Sequence, residues 1–473
     1  MRWIAAHTWL LLLVPLIGGI ILCYYTSFPV NLFADTDADY LDKDTVLQVL
    51  LTTEGQDRAK TVRYTAQTND GSRFLLYLQK DSLPQPHIGD LLLVQTTVRR
   101  GGILGSFDYG RYLQLQHLVG SGWAHRGNWL IIGHQDIKGI RPTAERCQQW
   151  SFQRYQALGI HQPELGIIAA LTLGYREELN KQVQQSFSAA GAMHILAVSG
   201  LHTGILWSIL LGILTLGGCI KPLYHDYWQR WTLALLSILL LWGYAFITGL
   251  SPSVMRSALM LSLIEIGYLL KRPIDGLNCL AAAAVIILLI NPLALWSVSF
   301  QLSFAAMAAL ILVAQRIQQR VILRGSILAY IGGLLITSVA AQIGTAPLTL
   351  YYFGQTSNYF ALTNMVVIPL AFVLLSMSLC AIAFSWSIIG TWIATGVQWS
   401  TWGLRQYVEW IESLPYSTTH ASITAPSVLL LYAVIFCAIM MMRGDKVHWG
   451  WLSGVVLCMA AVICFETNII PCK

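Results

Sequence analysis

The residues with the most chemical capacity lie in one apolar stretch, GAMHILAVSGLHTG over 191–204. It holds His194, Ser199, Gly200 and His202. A serine with a histidine in hydrogen-bond reach is a nucleophile with its base. The same hydroxyl and imidazoles around a wet cavity would instead donate to an anion. His194 and His202 are eight residues apart, so an unbroken helix would place them near one face, about two turns apart. Gly200 and Gly204 predict a break there. Broken helices at membrane depth persist only where they are buried in protein or line water. Close contact between helices through small residues accounts for Gly191, Gly200 and Gly204 but not for the serine and two histidines. A cavity-lining site is therefore the reading adopted.

Further polar islands follow. GLSPSVMRSALM puts Arg256 just inside a span, after a Ser-Pro-Ser break, where it either snorkels to the interface or meets an anion. SVSFQLSFAAM carries Gln301 and Ser303. TSVAAQIGTAPLTLYYFGQTSNYFALTNMVVIPL carries Gln342, Pro347, Gly354, Asn364 and Pro369. It reads as two interrupted segments flanking a glycine turn. Together the islands predict a polar path lined by interrupted helices.

The elements that must position these groups are membrane spans. The chain of 473 residues is 55% hydrophobic and 11% charged, against about 25% charged in a soluble domain. Residues 1–190 hold 17 Lys+Arg and 16 Asp+Glu, and 191–473 hold 12 and 7. The charge is thus concentrated in the first part, and the second is a membrane domain. Apolar runs lie near 191–216, 229–250, 252–270, 275–291, 293–314, 326–350, 359–384, 386–402, 426–442 and 449–466. An N-terminal run follows Arg2 and reads as an uncleaved anchor within 1–33. About 11 spans result, some interrupted or re-entrant. Lys221 with Arg230, Lys271 with Arg272, Arg316 with Arg320 and Arg324, and Arg443 with Lys446 then all fall on one side. Positive-inside logic makes that side, and the N-terminus, cytoplasmic. Residues 34–142 and the C-terminus are then extracytoplasmic.

Residues 34–142 read as a small β-barrel of OB type. Short β-branched and aromatic runs alternate with turn formers such as NDGS and SLPQP. Residues 34–140 carry 11 basic and 12 acidic residues, so there is no overall nucleic-acid footprint. Arg99, Arg100, Arg111 and Arg126 remain a local candidate patch. Residues 143–190 read as amphipathic or interfacial helices, with ELGIIAALTLGY too short to span. Residues 191–473 form the polytopic domain.

GAMHILAVSGLHTGIL resembles the signature of the ComEC family of bacterial competence channels. GLSPSVMRSALM, NPLALWSVSFQLSFAA and AAQIGTAPLTLYYFGQTSNYFALTNMVVIPL resemble that family in the same order, and GSFDYGRYLQLQHLVGSGW resembles the end of its OB-like domain. The resemblance covers about residues 30 to 440. It implies an inner-membrane channel passing single-stranded DNA into the cytoplasm during natural transformation. It also implies a DNA receptor outside, a motor or strand-binding protein inside, and a homo-oligomer. Many members carry a C-terminal metallo-β-lactamase-like domain. This chain reads as a short form without it, since no HxHxDH cluster occurs. No Walker A motif occurs either, so neither nuclease nor ATPase activity, nor a metal or cofactor, is expected. Two alternatives stand beside the channel: a membrane serine hydrolase using Ser199 with His194 or His202, and a small-solute transporter. The latter predicts an internal repeat, and no convincing one is present.

Overall fold

The computed structural model describes residues 13, 15–17, 40–53, 55–57, 60–80, 85–104, 107–114, 116–137, 139–214, 227–271, 275–320 and 326–443. The expected anchor, apart from residues 13 and 15–17, and the expected last span lie outside them. The chain forms two compact units. One comprises Val14–Cys147 with Asn291–Ser297, and the other Gln148–Ile290 and Val298–Lys473 with the first residues.

In the first unit, β1 (Thr45–Leu51), β2 (Thr61–Thr68), β3 (Arg73–Gln79), β4 (Asp90–Arg99), β5 (Ser121–Ala124) and β6 (Trp129–His134) form one sheet. Alternation of inward Val62, Tyr64, Ala66, Phe74, Leu76, Leu92, Val94 and Val98 with outward polar residues gives these runs their strand form. The order β1-β2-β3-β5-β4 closes on itself, because β1 also pairs with β4 from Thr45↔Thr96 to Leu50↔Leu91. The pair β3–β5 is parallel and the others are antiparallel. A small barrel was expected; its fifth strand is the short run SGWA (β5), which the sequence pattern did not mark, while WLIIGH forms the extension β6. The extension β6, paired with the first half of β4, is pinned by His134. Its Nδ1 lies 2.8 Å from Asp90 Oδ1. That bond to a carboxylate holds the His134 imidazole above its ordinary pKa.

The second unit is helical: α1 (Ile140–Ala157, whose first turns belong to the barrel unit), α2 (Glu164–Leu173), α3 (Lys181–Ala189), α4 (Gly200–Leu214), α5 (Tyr227–Ile247), α6 (Pro252–Leu269), α7 (Gly276–Ile290), α8 (Val298–Ala309), α9 (Ser326–Phe353), α10 (Phe360–Ala383), α11 (Ile388–Ser413) and α12 (Ala425–Arg443). Among the described residues, three stretches, Val298–Gln319, Ile327–Phe353 and Phe360–Ala383, are long and apolar enough to cross a membrane. The chain is thus a helical membrane protein with a barrel domain.

Three expectations need correction. First, α9 and α10 run unbroken through Pro347 and Pro369. The interruption lies between them, where β7 (Gln355–Ser357) pairs with β8 (Thr418–His420). The interruption within a helix falls elsewhere, at Leu310–Ala314, where α8 widens into a π-turn. Second, α2, whose segment reads as interfacial or re-entrant, is enclosed in protein: all ten of its residues are buried, packed by α10 and α11. Burying each of Ile167, Ile168 and Leu171, all 0% exposed, contributes about 1.5–3 kcal/mol. Third, the 386–402 segment continues to Ser413. On the added turns, Arg405 Nε reaches Glu164 at 3.1 Å and its Nη1 reaches Glu409 at 2.9 Å.

Candidate functional site

The opening motif is a helix start rather than a break inside a span. Residues 192–199 are irregular, and α4 begins at Gly200. His194 therefore lies outside the helix, and the eight-residue spacing to His202 has no helical meaning. His194 is exposed, its Nδ1 3.1 Å from Gly191 O. His202 is fully buried.

Ser199 and His202 meet at the start of α4 through one histidine nitrogen. The Ser199 backbone N–H donates to His202 Nδ1 at 3.1 Å, and Ser199 Oγ lies 3.1 Å from the same nitrogen. A side chain three residues into a helix reaching back to the cap N–H is the logic of a capping box. A neutral imidazole has one acceptor nitrogen. With a backbone N–H on Nδ1, the proton sits on Nε2, and the Ser199 hydroxyl competes with that N–H for the single Nδ1 lone pair. His202 Nε2 is buried and has no hydrogen-bond partner among the described residues. The motif thus offers a donor into the interior. Gly200 is required for approach: a Cβ there would lie 2.9 Å from Ser257 Oγ on α6.

Next to Ser257, Arg256 is 5% exposed. Pro252 at the first helical turn starts α6 and places it one turn in. Its Nη2 donates to Ser299 O at 3.0 Å and to Ser299 Oγ at 2.9 Å. Its Nε is buried with no hydrogen-bond partner among the described residues. So Arg256 does not snorkel; it ties α6 to the start of α8. On α8, Gln301 Oε1 accepts from Tyr352 Oη at 2.7 Å, and Ser303 is half-buried. On α9, Gln342 Nε2 donates to Thr356 Oγ1 of β7 at 2.9 Å. Gln355 of β7 donates to Ser188 Oγ at 3.0 Å. Gly191 has φ +79°, and a Cβ there would lie 2.9 Å from Ser357 Cβ and 3.0 Å from Phe360 Cβ. Asn364 on α10 is 7% exposed, with its Oδ1 buried and unpartnered among the described residues.

Separate contacts tie the elements carrying the four islands to one another. Arg256–Ser299, Gln301–Tyr352, Gln342–Thr356 and Gly191–Ser357 join α6, α8, α9, β7 and the turn before α4. The linking residues Ser257, Ser299, Tyr352 and Thr356 escaped the sequence reading, because each is common and its partner is remote. Glu265 was missed despite a usable signal, an acid inside an apolar run. It accepts from Trp207 Nε1 at 2.8 Å, tying α6 to α4. On the barrel, Arg99 and Arg100 are exposed at the end of β4, and Arg126 donates through Nε to Lys80 O at 2.7 Å. Arg111 lies in the one-turn helix Tyr109–Gln114, its side chain outside what the structure describes.

A helical membrane unit with polar groups buried between its helices, joined in sequence to a closed barrel, defines the class. Residues 171–446 match the family described as Competence protein, which is more than half of the chain. The chain belongs to that family. It is similar to ComE operon protein 3 of Bacillus subtilis (strain 168), 28% identical over 78% of this chain and 45% of that one. It is also similar to Recombination protein 2 of Haemophilus influenzae, 26% identical over 37% of this chain and 21% of that one. A protein of Escherichia coli, YcaI, matches at 26% over 43% of this chain and 30% of its own length. The chain thus spans less than half the length of these relatives. No solved structure matches it.

Proposed function

We propose that the chain passes one strand of DNA across a bacterial inner membrane during natural transformation. The observation that carries this reading is a pair of buried donors unpartnered among the described residues, His202 Nε2 and Arg256 Nε. Buried donors without acceptors cost about 1–3 kcal/mol each, and phosphate oxygens would relieve that cost. The family and the competence operon named for the Bacillus relative support the same reading. His194, Ser199, Gly200, Gln301, Ser303, Gln342 and Asn364 complete the proposed path. The occupied Nδ1 of His202 argues against the serine hydrolase.

The architecture proposed is about 11 spans with the N-terminus cytoplasmic, and with the barrel and C-terminus outside. The β7–β8 pairing supports it, since the loops before α10 and after α11 must share one side. That makes α10 and α11 a returning pair. The strand order and the parallel β3–β5 pair support the OB type for the barrel. An outside DNA receptor, a cytoplasmic motor or strand-binding protein, and a second copy of the chain are the proposed partners.

The test is a deletion strain given labelled duplex DNA, with label located by compartment. The reading expects DNA held outside, none inside, and transformation lost. Label reaching the cytoplasm at the parental rate would defeat it.

A further inference from the structure

Glu265 is an acid inside an apolar helix, and the proposed strand path does not use it. It lies on α6 and is 9% exposed. Trp207 Nε1 on α4 donates to its Oε1 at 2.8 Å. About two turns back along the same seam, Gly200 lets α4 approach Ser257. Glu265 and Trp207 thus hold one end of the α4–α6 contact, and the opening motif holds the other. From α5, Ser237 turns toward the same carboxyl. It is fully buried, and its Oγ has no hydrogen-bond partner of good geometry among the described residues.

Among the described residues no cation faces this acid. Arg256 is nine residues back on α6, His202 is five before Trp207 on α4, and Arg230 is seven before Ser237 on α5. Tyr244 of α5 gives its hydroxyl to Thr172, and Tyr268, one turn on along α6, points outward. At the start of α7, Cys279 neighbours Asp275. Elsewhere the α7 and α8 side of α6 is apolar, with Met260 against Leu280, Ala283 and Phe304.

A carboxylate here has one neutral N–H where a buried charge calls for a counter-ion. A glutamine would accept the same bond with no charge to bury. What the carboxyl adds is a second protonation state, and its neighbours serve both states. The Trp207 N–H donates to either form. The Ser237 hydroxyl has a donor for the carboxylate and an acceptor for the carboxylic acid. A metal cation would need a shell of oxygens, whereas here an N–H points at the carboxyl. Ionisable groups between helices at membrane depth mark proton and ion routes. We propose that Glu265 is a proton-binding site, loaded and emptied during strand passage. One carboxylate oxygen bonds a proton delivered by water and later returns it to water, while Trp207 keeps the seam closed in both states. The site rests on α4, α5 and α6 alone; its part in passage rests on the uptake reading.

The test has two arms. In the first, the full chain in lipid nanodiscs is treated with dicyclohexylcarbodiimide, an apolar reagent for protonated carboxyls, across a pH series. Peptide mass spectrometry then locates the adduct. Glu265 should be modified, less so as pH rises, along a one-proton curve, and Glu265→Gln should lose that adduct. In the second arm, melting and transformation are measured at matched membrane levels. Glu265→Gln keeps an acceptor for Trp207, so it should melt as the parent does while losing uptake. Glu265→Asp, still ionisable, should retain part of the uptake. Parental uptake in Glu265→Gln overturns the proposal, because a hydrogen bond alone would then suffice. A parent whose Glu265 resists the reagent at every pH overturns it too. Both results are separate from the uptake reading, which fails if deletion of the chain leaves DNA entry intact.

Discussion

Two glycines test whether the turn before α4 is locked against the β7 clip. Gly191 and Gly354 both have positive φ, +79° and +64°. An alanine in that region costs about 1–2 kcal/mol. Around Gly354 a Cβ meets nothing within 4 Å, whereas at Gly191 it lies 2.9 and 3.0 Å from the Cβ atoms of Ser357 and Phe360. Those atoms are fixed by backbone and cannot rotate away, so overpacking adds about 1–3 kcal/mol. Gly354→Ala should therefore cost about 1–2 kcal/mol, and Gly191→Ala about 2–5 kcal/mol by the sum of the two effects. The assay is thermal loss of the monodisperse peak of purified protein, beside transformation frequency at matched membrane levels. Gly191→Ala should melt several degrees lower than Gly354→Ala and lose uptake beyond any loss of protein. Equal melting of the two variants would refute the claim that the turn is packed on β7 and α10.

Arg256→Gln should leave the protein inserted and reduce transformation at least tenfold. Arg256→Lys should not rescue it, because one ammonium does not replace a guanidinium that both grips Ser299 and presents a free Nε–H; parental uptake in either variant would remove Arg256 from the site. Ser199→Ala removes one neutral hydrogen bond to His202, worth about 0.5–1.5 kcal/mol, and should lower uptake modestly. Gly200→Leu, driven into Ser257, should be severe, with His202→Ala between them; complete loss in Ser199→Ala beside a tolerated Gly200→Leu would revive the hydrolase. The bond to Asp90 raises the His134 pKa, so its contribution to barrel stability is fully present below about pH 6.5 and fades as pH rises through the higher folded-state value. Melting curves of parent and Asp90→Asn should converge above that value, and a gap that widens with pH would contradict the pairing.

Local pattern carried much of this architecture. The runs TVLQVLL, TVRYTAQT and RFLLYLQ are β1, β2 and β3 to the residue, because alternation is a property of neighbours. The apolar runs near 252–270, 275–291 and 359–384 end within a residue or so of α6, α7 and α10. What could not be read is what depends on remote partners. Barrel closure needs Thr45 to find Thr96, and the clip needs Gln355 to find His420. The end of α11 was misplaced because Arg405 and Glu409 look solvated until Glu164 is known to face them. At the site, residue types were legible and their roles were not. Arg256 reads the same whether it snorkels or grips Ser299, and Ser199–His202 reads as a dyad until the backbone N–H is seen to occupy Nδ1.

The buried helix α2 also sets a schedule for biosynthesis. Its cover comes from late in the chain: Glu164 pairs with Arg405, 241 residues on, and His161 N–H donates to Gln398, 237 residues on. At 5–20 residues per second, a ribosome needs on the order of ten to fifty seconds between making α2 and making its lid. For that interval this ten-residue helix, too short to be stored in the bilayer as a span, has only the partial shelter of earlier segments such as Tyr155 and Tyr244. A truncation ending before α11 would make the wait permanent, which marks α2 as the segment by which quality-control proteases would recognise an unfinished chain.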